Sequence, residues 1–236
     1  MRIDELTKKE TKKFSIISII VVVFYTIYNF QGSASYFRAH IYHSFRLLRV
    51  QAYSYYYQWS MAFLLLGIIP MLIVKFVFRE KLEDYGLKFK KPLISILIAL
   101  LGILFVTPFT YFGAKNRDFI SLYPLVKNSF GSVENFVKAE FFYFLYYIGY
   151  EFFFRGFLFM GIRKHIGDWE AIGVSLMATV LLHVDRPEGE MAMAILAGIV
   201  FPIIVRKMKT LWPVILIHAY TGISLDYWII LNHGGF

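Results

Sequence analysis

Apolar runs approaching the ~20 residues that a helix needs to cross a hydrocarbon layer recur along this chain, with short charged connectors between them. They run from Phe14 to Phe30, Trp59 to Phe78, Pro92 to Phe112, Phe136 to Ile162, Trp169 to Val184, Glu190 to Val205 and Leu211 to Leu231. A chain in lipid must satisfy its backbone polar groups internally, which leaves helices as the solution for runs like these. The expected fold is all-α: a polytopic transmembrane helix bundle of about seven spans, forming one integral membrane domain over residues 1–236. With 58% hydrophobic and 17% charged residues, the chain is far from the quarter-charged composition of soluble domains.

The amino end, residues 1–13, is a basic tail. The first run resembles the core of a signal peptide, and Ser33-Ala34-Ser35 resembles a cleavage site. Its length and its Tyr25, Tyr28 and Asn29 mark it instead as a retained span. Between the first two runs, Phe37, Ile41, Phe45 and Leu48 recur at helical spacing beside Arg38, Arg46 and Arg49. That pattern predicts an interfacial helix over residues 36–57, although a helix packed on the bundle gives the same one. Tyr53 to Tyr57 and Trp59 read as an aromatic belt.

Lys and Arg outnumber Asp and Glu by 25 to 16. The basic residues sit between the apolar runs and form no face interleaved with aromatics, so nucleic acid is not an expected partner. Alternate connectors carry fifteen and seven of them, which predicts a cytoplasmic amino terminus and an outer carboxyl terminus. The absence of cysteine excludes disulfides, thiolate metal sites and a cysteine nucleophile.

Ionisable groups inside spans are costly and mark cavities or functional sites. Glu151 and Arg155, four apart on the fourth span, share a face and can pair. His183 falls late in the fifth span and His218 early in the seventh. A carboxylate with two imidazoles can activate water and stabilise an oxyanion, or can bind a divalent metal through His183 and His218. A packing ion pair with two hydrogen-bonded histidines fits the same residues. Depth counting spreads Glu151, His183 and His218 over about 12 Å, in the cytoplasmic half or near the midplane.

Tyr150-Glu151-x-x-x-Arg155-Gly156, followed by His183 and His218 in that order, resembles the CPBP family of CAAX-processing and bacteriocin-processing intramembrane proteases. The similar stretch is Tyr150 to Asp226, within a family-like half of about 136–231. The connector Leu82-Glu83-Asp84-Tyr85-Gly86-Leu87 also looks like that family's lead-in. The resemblance implies a bundle with a cavity open to the cytoplasm, in the plasma (inner) membrane of a prokaryote. It further implies hydrolysis of a peptide bond by water activated through Glu and His, with no required cofactor. Expected partners are membrane lipids and a peptide or lipidated protein substrate, such as a prenylated tail or a leader peptide.

Three positions depart from the family pattern. Tyr150 stands where the first of two adjacent Glu is expected, Gly222 where Asn or Asp follows the late histidine, and Thr179 where an aromatic precedes His183. Two other carboxylates could substitute. Glu190, seven residues after His183, reaches the cavity if the short loop folds back; a solvated residue at a helix start is its plain alternative. Asp226 lies two helical turns beyond His218. The catalytic candidates are therefore Glu151, His183, His218 and Glu190, supported by Arg155, Tyr150 and Asp226. A catalytically silent scaffold or regulator is the alternative function. A solute transporter would call for paired broken helices, which the spans lack.

Overall fold

The structure, a computed structural model, describes residues 3–42 and 50–236, with side chains from Thr11 onward. It is helical throughout, and no strand occurs among the described residues. Among the described residues seven long helices follow in order: α1 (Ile3–Phe30), α2 (Val50–Val77), α3 (Pro92–Gly113), α4 (133–166), α5 (Asp168–Leu181), α6 (Glu188–Met208) and α7 (Trp212–Asn232).

Among the described residues, five helices are long and apolar enough to cross a membrane: Thr11–Phe30 within α1, together with α2, α3, α6 and α7. The expectation of seven spans is therefore supported for five. In α4, Glu140, Glu151 and Arg155 interrupt the apolar run. In α5, the 14 residues span only about 21 Å, short of a ~30 Å hydrocarbon core. α5 stops at Leu181 rather than Val184 because Asp185 takes a left-handed conformation (φ 71°) ahead of Pro187, which cannot continue a helix.

The expected interfacial segment divides differently. Val50 to Tyr57 form the first turns of α2, so that helix begins before Trp59. Ala34–Tyr36 and Phe37–Ile41 make a short helical segment packed on α2, with the Phe37 ring tilted against that of Tyr57 at 5.3 Å and Arg38 Nη1 donating to Ser54 Oγ at 2.9 Å. Phe45, Arg46, Leu48 and Arg49 lie outside the described residues.

α4 forms the centre. Every residue from Gly149 to Phe159 is buried, as expected for a helix enclosed on all sides. α2 crosses it at a pair of glycines: a Cβ on Gly149 would stand 2.9 Å from the Ala62 carbonyl, and one on Gly67 3.2 Å from Gly149 Cα. Small residues at such a crossing let helix backbones approach in lipid. After Glu151 the helix widens into a π-helical stretch, Phe152–Met160, of the kind that gathers at functional sites.

The Leu82–Tyr85 connector docks beneath this stretch. Tyr85 is buried, its carbonyl lies against Gly156, and the Gly86 carbonyl accepts from the Leu211 N–H at 3.0 Å. Gly86 supplies the left-handed turn that this needs (φ 90°).

α3 packs along α7, tied by Thr107 Oγ1 to Tyr220 Oη (2.9 Å) and by Ser224 Oγ to Thr110 Oγ1 (3.1 Å). Its outer face exposes Leu93, Leu97, Leu100 and Leu104. Between α3, α6 and α7 a cavity of about 730 Å³ remains open.

The two ends of the bundle differ. At one end Lys13 pairs with Glu80 (2.7 Å) and Arg163 and Arg206 meet Asp168 (2.7 and 2.8 Å). At the other, Gln51 Nε2 donates to the Leu125 carbonyl, and the Gly131 N–H donates to the Gly235 carbonyl at 3.1 Å.

Candidate active site

Glu151 ends the regular part of α4 with its carboxylate fully buried. Its Oε1 lies 2.5 Å from His218 Nδ1 on α7, and its Oε2 lies 3.4 Å from Arg155 Nε one turn on. An ionised carboxylate only accepts, so Nδ1–H donates and Nε2 is the ring nitrogen left for chemistry. Arg155 is held against the rings of Tyr150 and Phe201 at 5.5 and 5.8 Å, distances suited to cation–π attraction. The i,i+4 spacing read from the sequence thus yields a buried pair, and its carboxylate also reaches His218.

His183 lies two residues past the end of α5, not within a span. Its Nδ1 is 2.8 Å from the Thr179 carbonyl, one turn back. A carbonyl fixes Nδ1 as donor, and burial, which pushes the ring's pKa down to about 4, keeps it neutral, so Nε2 is unprotonated and 4.0 Å from Glu190 Oε1. The loop 182–187 does fold back, and the first turn of α6 brings Glu190 to the cavity.

Tyr123, from the α3–α4 connector, donates its hydroxyl to Glu190 Oε2 at 2.8 Å, and Arg186 Nη1 donates to the same hydroxyl at 3.4 Å. Burial, with Tyr143 and Glu190 nearby, pushes the Tyr123 phenol well above its ordinary range, so it stays a donor. Burial works against the Arg186 charge, but the negative charge of Glu190 nearby favours it.

Tyr150 stands between the imidazoles, its ring edge-on to His218 at 5.1 Å and to His183 at 6.5 Å. It occupies the position of the expected first Glu as a neutral wedge. Gly222 has a steric counterpart: a Cβ there would collide with the Tyr147 hydroxyl, and the Tyr147 ring packs 4.6 Å from His218. That phenol fills the space a side chain at 222 would take.

Asp226 does not join these groups. It faces Glu140 of α4, and both carboxyls are buried.

Two cavities meet here. The apolar one of about 730 Å³ and a polar one of about 50 Å³ share Tyr123, Tyr143, Tyr147, His183, Glu190 and His218 in their walls. The smaller has room for ordered water and offers the polar partners water needs. Glu151 borders neither; it stands behind His218. Among the described residues no three His, Asp or Glu side chains converge as metal ligands.

Sequence reasoning missed Tyr123, Tyr147 and Glu140. Glu140 carried a readable signal, being an acid three turns before Glu151 on the same helix. Tyr123 carried none, because its role depends on where a connector docks.

The fold and this cluster define a helical membrane protein with a carboxylate–imidazole site at an internal cavity. Residues 133–223 match the family model described as Rce1-like, type II CAAX prenyl endopeptidase, which bears out the family resemblance over that stretch. No curated protein and no solved structure matches the chain.

Proposed function

We propose that this chain is an intramembrane endopeptidase that hydrolyses a peptide bond in a membrane-associated peptide or lipidated protein. The observation that carries the reading is the meeting of a polar, water-sized cavity with a large apolar one at His183, Glu190 and His218. Peptide hydrolysis needs water on one side and a membrane-borne substrate on the other. The match to a prenyl endopeptidase family supports a lipidated substrate.

In this mechanism Glu190 is the general base and His183 helps orient the water across the 4.0 Å gap. The water oxygen attacks the scissile carbonyl carbon and Glu190 takes its proton. His218, as an imidazolium paired with Glu151, offers Nε2–H to the developing oxyanion. Collapse of the tetrahedral intermediate breaks the C–N bond, and the proton on Glu190 passes to the leaving amine. Arg155 positions Glu151, and Tyr150 separates the two imidazoles. Two of the three departures from the family pattern then have a counterpart: Glu190 for the carboxylate missing at 150, and Tyr147 for the side chain missing at 222.

The test is cleavage of lipidated and unlipidated peptides by the purified protein in liposomes. Glu190→Gln and His183→Ala are expected to abolish turnover, and retained cleavage in both would sink the mechanism. A wild-type protein that binds such peptides but cuts none would favour the silent-scaffold reading.

A further inference from the structure

We propose that Tyr123 is a positioning residue for Glu190, steadied from behind by Arg186. The inference rests on the reading of Glu190 as base. Tyr123 precedes the stretch that matches the family model, so nothing in that match assigns it.

Glu190 is the third residue of α6, where a side chain at a helix start has freedom to swing. Tyr123 removes that freedom by occupying Oε2 at 2.8 Å, which leaves Oε1 toward His183 Nε2. The 4.0 Å between those atoms exceeds a direct hydrogen bond and suits a bridging water. Arg186 Nη1, donating to the phenol oxygen, commits the phenol proton to the carboxylate.

The connector that presents Tyr123 is itself fastened. Lys127 Nζ donates to the carbonyls of Leu122 and Tyr123 at 3.1 and 3.2 Å, and Gln51 of α2 donates to that of Leu125. Tyr123 is only 3% exposed. The other charged or titratable groups around Glu190 are His183, His218, Tyr143, Tyr150 and Asp226. Among the described residues Tyr123 is the side chain that hydrogen-bonds the Glu190 carboxylate, and so it fixes its orientation.

The experiment compares wild-type protein with Tyr123→Phe, Arg186→Met and Val126→Ala in proteoliposomes. Removing one charge-assisted hydrogen bond from the base should lower kcat by about 10- to 100-fold while KM changes by less than about threefold. Val126→Ala loosens the same buried connector without touching the phenol, and should keep kcat within about twofold. Arg186→Met decides the matter should Tyr123→Phe fail to fold: it keeps the phenol but removes its partner, and kcat should fall by roughly 3- to 10-fold.

An unchanged kcat in Tyr123→Phe, or an equal loss in Val126→Ala, overturns the inference. Inactive Glu190→Gln beside fully active Tyr123→Phe would overturn it alone. A wild-type protein without cleavage would overturn the functional reading together with it.

Discussion

The two carboxylates of the site should separate cleanly into one that holds the fold and one that does the chemistry. Glu151 is fully buried beside Arg155, whose side chain is 2% exposed. Glu151→Gln would leave that buried guanidinium without its counter-ion, at a cost of roughly 3–5 kcal/mol. For a chain of this size each kcal/mol moves the melting temperature by about 2–4 °C, so a drop of roughly 6–20 °C is expected. Removing both charges, as Glu151→Gln with Arg155→Met, should recover much of it, because a buried pair replaced by neutral groups of similar volume costs little. Glu190 is 22% exposed and keeps its hydrogen-bonding shape as glutamine, so Glu190→Gln should cost no more than about 1 kcal/mol. Its turnover should nonetheless fall by about 10²- to 10⁴-fold, the usual worth of a general base. Thermal unfolding in detergent and peptide cleavage, measured on the same preparations, read both quantities. The reasoning fails if Glu190→Gln still turns over near the wild-type rate, or if Glu151→Gln melts with the wild type.

Three further outcomes follow from particular contacts. Gly222→Ala should destabilise by roughly 1–3 kcal/mol through collision with the Tyr147 hydroxyl, and Tyr147→Phe in the same chain should return part of it; thermal unfolding of the single and double variants tests this. Although partial burial works the other way, hydrogen bonds from Lys13 and Tyr85 hold Glu80 below its ordinary 4.5, so its contribution is complete above that pH and lost as pH falls further. Because the Glu80 side chain is 36% exposed and screened by solvent, that contribution is about 1 kcal/mol at most, and Glu80→Gln should flatten the acid limb of the melting-temperature profile. The chain contains no cysteine, so Val184→Cys and Lys207→Cys can each be labelled alone; the charge count expects an impermeant thiol reagent to reach Val184→Cys in intact cells, and Lys207→Cys only after permeabilisation.

That last experiment bears on a conflict between two sequence signals. The basic connectors around Lys13, Arg163 and Arg206 gather at one end of the bundle, and the charge count assigns that end to the cytoplasm. Tyr123, Arg186 and His183 come from connectors at the other end, where Tyr28 and Leu125 also border the polar cavity. The family resemblance expects the cavity to open toward the cytoplasm. Both signals were legible, but their incompatibility became visible only when the connectors were sorted by end. Helix existence was legible because apolar runs in lipid leave the backbone one solution. The Glu151–Arg155 pair was legible because it depends on helical spacing alone, whereas His183 moved off its helix because a left-handed Asp185 and Pro187 end α5 early. What could not be read was any role set by docking between distant segments: Glu151 turned toward His218 by the packing of α4 on α7, and Tyr123 brought to Glu190 across 67 residues of chain. On the proposed mechanism the polar side chains absent at 150 and 222 come from other segments, so a departure from a linear motif is weak evidence for a dead site until the cavity walls are known.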